Sequence, residues 1–390
     1  MNNKTVLISG ASIAGPSLAL WLSRHGFHPT VVERAPGIRS GGYAVDFRGA
    51  SMKVLERMDI LPEVQRVQVR TGATTIVDRA NRKIASLPDG FTSGEIEILR
   101  GDLARILYEA TRSSAEYIFD DSIAALRQNE SGVEVTFSRG RPRTFDLVVG
   151  ADGLHSNVRS LAFGPESPFI RHLGYYVSIF TVPNHLNLDH AGLFYGVPGR
   201  MVGIFSAKDN TEATASFYFA SSPLEYDRYN TAKQQEILRE RFADVGWEVP
   251  RLLAMLDHAP DFYFDSISQI KMTHWSNGRI VLLGDAAYCG SPLSGMGTGM
   301  AVVGASTLAG ELKQAGGDHN IAFANYESLM RDYVTRCQKL AEGADWFVPR
   351  TRRKLWLRNQ IWRALPHTPW RNMTLEMPMK AANSISPKTY

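Results

Sequence analysis

The chain has almost no cysteine and no long apolar run. Only Cys289 and Cys337 occur among its 390 residues, too few for a disulfide scaffold and without the spacing of a metal site. We therefore expect a reducing compartment, a cytoplasmic location and no bound metal. No apolar stretch reaches the length of about 18 residues that a membrane-spanning helix needs, and the N-terminus lacks a secretory signal pattern.

Charged residues make up 21% and hydrophobic residues 44% of the positions, proportions that exclude bulk disorder. The length suits two or three domains or one large composite domain. The net charge of +4 would by itself suggest a nucleic-acid or membrane-surface partner. The distribution of charge matters more, because residues 346–390 hold nine basic residues and one acid, Glu376. This tail carries +8 and the remainder of the chain −4.

The chain opens with the pattern of a βαβ unit. Residues 5–9 have the composition of a buried strand, residues 14–25 the periodicity of a helix, and residues 30–33 the composition of a second strand. Further buried strands are predicted at 145–149 and 279–283, each running into a glycine-containing turn. Because parallel strands carry functional loops at their carboxyl ends, this part predicts a parallel sheet with a site at that edge.

The pattern changes between about residues 168 and 275. Segments 193–197, 201–207 and 215–219 are short, aromatic and β-branched, with polar residues between them. They predict an antiparallel sheet. One helix, predicted over residues 231–245, interrupts it.

A glycine-rich turn joins the first strand to the first helix. Gly10 and Gly15 bracket it, and Glu33 ends the next strand. A tight turn of this kind lets the backbone approach a pyrophosphate at a helix N-terminus, while the acid accepts hydrogen bonds from a ribose. The turn therefore predicts dinucleotide binding. Ser12 replaces the middle glycine, so its Cβ crowds the phosphate side while its hydroxyl is placed to donate to a phosphate oxygen.

Two further motifs follow buried strands. Residues 146–159 read DLVVGADGLHSNVR, with Asp152 in the turn and Ser156 at a helix N-cap position. Residues 284–299 read GDAAYCGSPLSGMGTG. Asp285 at the strand end is placed to bind a ribityl hydroxyl, and the glycines let backbone amides approach a flat ring and its pyrophosphate.

These three motifs, in this order, resemble those of the class A flavin monooxygenases, the p-hydroxybenzoate hydroxylase-like family. The resemblance covers about residues 4 to 340. It implies an α/β, Rossmann-like FAD-binding domain with an inserted antiparallel β-sheet substrate domain and a C-terminal helical cap. The implied boundaries are 1–72, 98–165 and 278–340 for the FAD-binding domain, 73–97 and 166–277 for the substrate domain, and 341–390 for the cap.

The resemblance also implies the cofactors and the chemistry. FAD would be reduced transiently by NADPH, react with O₂ to give a C4a-hydroperoxide, and transfer oxygen to an electron-rich or enolic ring. No side chain is singled out as catalytic, since the protein contributes placement and the exclusion of water. The chain departs from many family members at Ser12 and also at Tyr288, Gly299 and Gly304.

Matching motif positions give a set of expected cofactor-binding residues. Glu33 and Arg34 would hold the adenosine ribose, and Arg100 and Asp285 the FAD phosphate or ribityl groups. A second group, next to the mobile flavin ring or the nicotinamide, comprises Arg39, Asp46 and Arg48. The remaining members are Gly10, Ser12, Ile13, Ala14, Gly15, Asp152, Gly284, Pro292, Gly295, Gly297 and Thr298.

A narrower resemblance connects the chain to the tetracycline destructases, which inactivate tetracyclines by oxidation. It lies in residues 41–49, 95–103, 261–266, the GDAAYCGSPLSG run and residues 385–390. It predicts a multi-ring phenolic or enolic substrate and a role in antibiotic resistance. Two alternatives stay open: an aromatic hydroxylase of catabolism or natural-product biosynthesis, and a flavoprotein that only sequesters a ligand. A monomer or weak dimer is expected.

Five aromatic residues are candidates for the substrate cavity. Four lie on predicted strands and one follows the flavin loop: Tyr195, Phe205, Phe217, Phe219 and Tyr288.

The basic tail is also rich in tryptophan, with Trp346, Trp356, Trp362 and Trp370. Within it, residues 357, 361 and 365 (Leu, Ile and Leu) repeat every four positions, which predicts one apolar stripe of a helix. Three interpretations compete: a helix packed across the body near the substrate entrance, which we favour, a membrane-surface helix, and a nucleic-acid contact. We expect no nucleic-acid partner and no stable membrane insertion. A second short helix is predicted around residues 373–382, followed by a loose end.

Overall fold

The computed structural model describes residues 3–39, 41–69, 72–87, 93–369 and 373–390. Trp370, one of the tail tryptophans, lies outside the described residues. The strands are β1 Thr5–Ser9, β2 His28–Glu33, β3 Ala44–Phe47, β4 Thr74–Val77, β5 Lys83–Ser86, β6 Ile96–Leu99, β7 Glu116–Phe119, β8 Ile123–Gln128, β9 Val133–Phe137, β10 Arg143–Phe145, β11 Leu147–Gly150, β12 Ile170–Pro183, β13 Gly192–Val197, β14 Arg200–Ala207, β15 Glu212–Ala220, β16 Tyr263–Ile270, β17 Ser276–Asn277 and β18 Ile280–Leu282.

The helices alternate with the strands in the first half of the chain and gather at its end. They are α1 Ala14–Arg24, α2 Ala50–Arg57, α3 Leu61–Arg66, α4 Arg100–Glu109, α5 Asn157–Phe163, α6 Thr231–Phe242, α7 Val249–Met255, α8 Asp285–Tyr288, α9 Gly297–Gln314, α10 His319–Lys339, α11 Ala344–Phe347, α12 Arg352–Ala364 and α13 Met373–Ala382. In the part of the chain that is described, no helix combines the length and apolar character needed to cross a membrane.

A six-stranded sheet in the order β17-β18-β11-β1-β2-β7 forms the centre of the first layer. All of its neighbours pair in parallel except the edge strand β17. Its buried, β-branched strands face helices on both sides, as parallel sheets require. The strand predicted at 145–149 is divided at Asp146, whose carboxylate accepts a hydrogen bond from the Thr5 backbone N–H at 2.7 Å.

A seven-stranded sheet in the order β16-β12-β15-β14-β13-β4-β5 forms the second layer. It is antiparallel except where β13 pairs with β4 in parallel, a pairing that links two segments far apart in the chain. The predicted helix at residue 231 begins where expected, because the Asn230 side chain accepts from the Lys233 backbone N–H at 3.0 Å. A second helix, α7, follows it and was not predicted; Pro250 occupies its first turn, where proline is tolerated.

The two faces of this sheet pack against different parts of the chain. One face carries an aromatic cluster that α6 and α7 cover. The other face meets the tail, because Val348, Trp362 and Leu365 pack against Tyr175 and Phe194. The helix α12 therefore lies across the seven-stranded sheet.

The end of the chain returns to the first layer. Helix α13 packs against α10, and the Tyr390 ring lies against Gly310 of α9 with no room for a Cβ between them. The Tyr390 hydroxyl donates to Glu311 at 3.0 Å, and the Lys388 ammonium reaches the same carboxylate at 2.8 Å. The predicted helix at 373–382 is present, but the prediction of a loose end after it is wrong, since these residues satisfy a buried acid.

Candidate functional site

A cavity of about 730 Å³ lies between the carboxyl edge of the parallel sheet and the tail-facing side of the seven-stranded sheet. Its size is that of a small-molecule site. Eleven of the predicted cofactor residues line it: Ser12, Ile13, Ala14, Asp46, Arg48, Arg100, Asp285, Pro292, Gly295, Gly297 and Thr298.

The glycine-rich turn brings the N-terminus of α1 to this cavity. Gly10 has a φ of +106°, and a Cβ there would lie 2.5 Å from the Ala151 carbonyl oxygen. A Cβ on Gly15 would overlap the carbonyl oxygen of Gly10. The two glycines therefore shape the turn from within rather than line the cavity. No side chain caps the first turn of α1, so its backbone N–H groups are available to an anion.

A second helix N-terminus meets the same cavity. Gly284, with a φ of +64°, turns the chain after β18 and leads into Asp285. Gly295 takes the left-handed conformation before α9, whose first turn also has no side-chain cap. Because Gly297 and Thr298 open α9 at the cavity wall, two positive helix ends face one space. This arrangement suits a diphosphate.

Arg100 supplies a cation between these helix ends. Its Nε donates to the Ser12 hydroxyl oxygen at 3.2 Å, and its guanidinium lies 5.8 Å from the centre of the Tyr43 ring. Burial raises the pKa of Asp285, and the charge of Arg100 opposes that rise. Burial likewise raises the pKa of Tyr43, so its hydroxyl stays protonated at neutral pH.

Asp46 and Arg48 form a buried ion pair in the wall, with 3.3 Å between carboxylate and guanidinium. Burial raises the pKa of Asp46 against the opposing charge of Arg48 and a hydrogen bond from the Gly94 backbone N–H. Arg48 also donates to the Ser93 carbonyl at 2.9 Å. Its buried Nε has no hydrogen-bond partner among the described residues, so the pair keeps a donor for a ligand.

The predicted adenosine residues lie outside the cavity. The Glu33 carboxylate accepts from the backbone N–H groups of Ala11 at 2.9 Å and Ala35 at 2.8 Å, which ties β2 to the glycine-rich turn. Arg34 is exposed and donates to the Tyr229 hydroxyl at 2.7 Å. Arg39 reaches Glu33 at 3.9 Å. The structure therefore groups Arg39 with Glu33 and not with Asp46 and Arg48, where it was expected.

Asp152 serves the loop rather than the cavity. Its carboxylate accepts from the Val158 backbone N–H at 3.0 Å and from the Ser9 hydroxyl at 3.3 Å, and it also bonds the Ser156 hydroxyl. The following Gly153 and Leu154 line the cavity instead. The second motif thus contributes backbone to the wall, and its acid fixes that backbone in place.

A charged cluster behind this loop went unnoticed in the sequence. His155 bonds Glu166 through Nδ1 at 2.9 Å and Asp265 through Nε2 at 3.1 Å, and Arg159 reaches Glu166 at 2.5 Å. Burial disfavours the imidazolium, but the two carboxylates outweigh it and raise the pKa of His155 to about 9. The cluster ties the loop after β11 to β16 of the seven-stranded sheet.

Four of the five predicted substrate aromatics do not line the cavity. Phe205 does. Phe217 and Phe219 point to the opposite face, where Phe217 meets Phe242 of α6 edge-on. The strand period of two fixes this outcome, because Tyr218, between them, is the residue that faces the cavity. The sequence shows that successive side chains alternate between the two faces of the sheet, but not which of the two faces lines the cavity.

The prediction that Tyr195 and Tyr288 line the cavity is also wrong. Tyr195 lies on the helix-covered side, 5.3 Å from the Trp247 ring. Tyr288 is buried inside the first layer, where it accepts from the Tyr326 hydroxyl at 3.0 Å and lies 4.6 Å from Trp275. Tyr288 is therefore a core residue in this chain, because Gly304 leaves room for its hydroxyl.

The aromatic wall that does face the cavity comes from three parts of the chain. The ring centres of Tyr43 and Tyr263 lie 5.4 Å apart near Arg100, and Phe347 packs edge-on against Phe194 and Tyr218. The aromatic residues of this wall that the sequence did not single out are Tyr43, Phe194, Tyr218, Tyr263, Trp346, Phe347 and Trp362. Only their aromatic character was visible, since their convergence depends on tertiary packing.

Comparisons with known proteins agree with this geometry. The model of the family described as FAD binding domain matches residues 3–343. An uncharacterized protein of Mycobacterium tuberculosis is 49% identical over 343 residues, covering 86% of this chain and 92% of the relative. A flavin-dependent monooxygenase from an unknown prokaryotic organism is 43% identical over 337 residues, covering 85% and 87%.

The solved structures point the same way. The crystal structure of tetracycline destructase Tet(55) matches with a TM-score of 0.84 and 38% identity, over 100% of this chain and 99% of that one. The predicted resemblance and the predicted fold class, a Rossmann-like layer with an inserted sheet and C-terminal helices, are confirmed.

Proposed function

The chain belongs to the FAD binding domain family of flavin-dependent monooxygenases, and from that premise we propose that it uses NADPH and O₂ to oxidise a multi-ring phenolic or enolic substrate. A tetracycline is the first molecule to test. Oxidation of tetracycline would make the enzyme a source of antibiotic resistance. The observation that carries this proposal is one continuous cavity of about 730 Å³ shared by the glycine-rich flavin loops and an aromatic sheet face.

The residues present fit FAD. Two uncapped helix N-termini suit its diphosphate. Gly295 has a φ of +60°, a left-handed conformation that favours glycine, so the turn beside Arg48 and Asp46 carries no side chain. The unpartnered Nε of Arg48 suits an acceptor on a flavin ring. When bound, FAD supplies the electron transfer and the activation of O₂.

The chain's own residues hold the substrate and exclude water. Phe194, Phe205 and Trp362 give the cavity apolar walls for fused rings. Polar contacts come from Ser216 and Tyr218 on β15. Burial raises the pKa of Tyr218 to about 12, so at neutral pH this hydroxyl is protonated and acts as a hydrogen-bond donor, not as a base.

The relatives support the multi-ring class. The chain matches the tetracycline destructase Tet(55) along nearly its whole length, and aromatic side chains from both the sheet and the tail line the cavity. We infer that a single-ring phenol would leave much of the wall uncovered and would bind more weakly.

A sequence of three measurements tests the proposal. Purified enzyme should be yellow, NADPH should bleach it under nitrogen, and tetracycline in air should cause NADPH consumption with a change in its own absorbance. Bleaching without a tetracycline effect would reject that substrate and direct the work to single-ring phenols. A flavin that NADPH cannot reduce would reject the oxidoreductase proposal and favour a protein that sequesters its ligand.

The cofactor assignment has its own control. Asp285→Ala should lower flavin occupancy after gel filtration, whereas Asp332→Ala, at an exposed position of α10, should keep it. Full occupancy in the Asp285 variant would contradict the assignment of Asp285 to the FAD site.

A further inference from the structure

The tail helix α12 presents an unusual surface to solvent. Trp356 is 62% exposed, Leu357 45% and Ile361 42%. Leu357 and Ile361 belong to the apolar stripe that the sequence predicted, and both face solvent, whereas Leu365 of the same stripe is buried. We propose that this surface docks the enzyme on an anionic phospholipid bilayer. The α12 outer face is defined by Arg352, Arg353, Trp356, Leu357, Ile361 and Arg363.

The outer face is fixed in this orientation by the opposite side of the helix. Arg358 is 3% exposed and Trp362 6%. The Arg358 guanidinium donates to the Phe347 carbonyl at 2.8 Å and to Asn359 at 2.8 Å, and Trp362 packs into the sheet-facing cluster. Rolling the helix to bury Leu357 and Ile361 would expose these groups and break these bonds. The apolar side chains therefore stay outward.

The charges of the outer face suit an anionic partner. The sequence of α12 contains no acid. Arg352, Arg353 and Arg363 are exposed and form no ion pair with any residue that the structure describes. Lys354, in contrast, is held by Asp345 at 2.5 Å and is not counted. The tail as a whole carries +8 against −4 for the remainder, so a negative surface would orient the protein tail-first.

The combination of residues favours a bilayer over other anionic partners. Trp and long aliphatic side chains insert at the boundary between headgroups and acyl chains, while Arg remains among phosphates. Nucleic acid would satisfy the arginines but would not bury Leu357 and Ile361. A second copy of the chain would set like cations against each other across a two-fold axis. A phospholipid surface satisfies both kinds of side chain.

The position of the face gives docking a consequence for the cavity. Ile361 faces solvent and the adjacent Trp362 lines the cavity, so the cavity lies directly behind the face. Trp346 and Met377 line the cavity and are 38% and 56% exposed. The exposed apolar part of the cavity wall thus belongs to the same tail. Docking itself does not depend on which substrate the cavity holds.

Vesicle co-sedimentation of the holoenzyme tests the proposal. Vesicles of phosphatidylcholine with phosphatidylglycerol should retain the protein, and pure phosphatidylcholine vesicles should retain far less. Binding should fall as salt is raised. In Arg352→Gln/Arg353→Gln/Arg363→Gln, each lost charge should weaken partition about fivefold. Trp356→Ser/Leu357→Ser/Ile361→Ser should weaken it as well.

A matched triple variant separates this face from general electrostatics. Arg66→Gln/Arg82→Gln/Arg105→Gln removes the same charge at exposed positions elsewhere and should leave partition nearly unchanged. Equal losses in both arginine triples, or no preference for anionic vesicles, would overturn the proposal. A concentration-dependent dimer that the Trp356 triple abolishes would assign the face to a second copy instead. Flavin content and circular dichroism confirm that each variant is folded.

Discussion

The Nε of Arg100 donates to the hydroxyl oxygen of Ser12 across 3.2 Å. Ser12 stands where dinucleotide-binding turns usually have a glycine, and a glycine has no side chain to accept this bond. The serine therefore connects the start of α1 to the start of α4 at the cavity wall. A residue that departs from the usual turn here holds a cation beside the proposed diphosphate site.

Arg100→Ala should weaken FAD binding by about 10- to 100-fold, the effect of losing a charged hydrogen-bond donor to a phosphate. Ser12→Gly should cost less, because the guanidinium remains and only its anchor is lost. Titration of apoprotein with FAD, followed by flavin fluorescence, measures both. Arg105→Ala, one turn further along α4 and half exposed, is the control. Identical affinities for the Arg100 and Arg105 variants would remove Arg100 from the site.

Substitution of two adjacent residues of β15 should affect different properties, KM for Tyr218 and stability for Phe219. Tyr218→Ala enlarges the cavity and should raise the KM for the substrate with little change in stability. Phe219→Ala removes a ring that is 1% exposed in the helix-covered cluster and should lower the free energy of unfolding by about 3 to 5 kcal/mol. Steady-state kinetics and urea unfolding of both variants measure this division. A Phe219 variant that changes KM but not stability would contradict the finding that Tyr218, and not Phe219, faces the cavity.

The His155 cluster should make stability depend on pH. The pKa of His155 is raised to about 9 in the folded protein and is about 6.5 in an unfolded chain. Its contribution to the free energy of unfolding is therefore complete below pH 6.5 and is lost as pH rises through 9, a fall of about 3 kcal/mol.

Urea unfolding at pH 6, 7.5 and 9.5 measures that fall. His155→Asn should be less stable than the wild type at pH 6, and its free energy of unfolding should not fall between pH 7.5 and 9.5 as that of the wild type does. His274→Asn, on an exposed histidine, should keep the wild-type profile. If the His155 variant and the wild type show parallel pH profiles, the imidazolium does not stabilise the fold.

Tyr390→Ala should destabilise the FAD-binding layer. Burial raises the pKa of Glu311, and hydrogen bonds from Lys388, Tyr390 and Asn325 more than offset it. Removing the tyrosine takes one of these bonds and uncovers Gly310, which should cost about 2 kcal/mol. Thermal unfolding measures the loss, with Lys380→Ala as an exposed control. Gly310→Ala should cause a similar loss by displacing the ring, and a neutral effect there would contradict the packing.

The cofactor residues predicted from the sequence rest on local signals. A glycine-rich turn between a buried strand and a helix fixes its own geometry, so Ser12, Ala14, Asp285 and Gly295 could be proposed before any fold was known, and all four line one cavity. Arg100 joined them through the family resemblance. These residues need no knowledge of distant packing beyond the order of parallel strands.

The substrate wall could not be predicted in the same way. Tyr218 and Phe219 are neighbours with similar side chains, and only the burial of one sheet face by α6 decides which is free. The orientation of α12 also could not be predicted from the sequence. An apolar stripe suggests that Leu357 faces the protein interior, but the structure buries the adjacent Arg358 and leaves Leu357 exposed. In both cases tertiary packing overrides the local pattern.

The pairing of distant segments sets an order of events during synthesis. Strand β1 lies between β2 and β11, and the sheet gains β18 only when residues 280–282 have been made. The hydrogen bonds that Glu311 accepts from Lys388 and Tyr390 can form only after those residues have been made. All seven strands of the substrate sheet precede residue 271. We therefore expect the nascent chain to complete the strands of the substrate sheet first and to stabilise the flavin-binding layer only after residues 388–390 have left the ribosome.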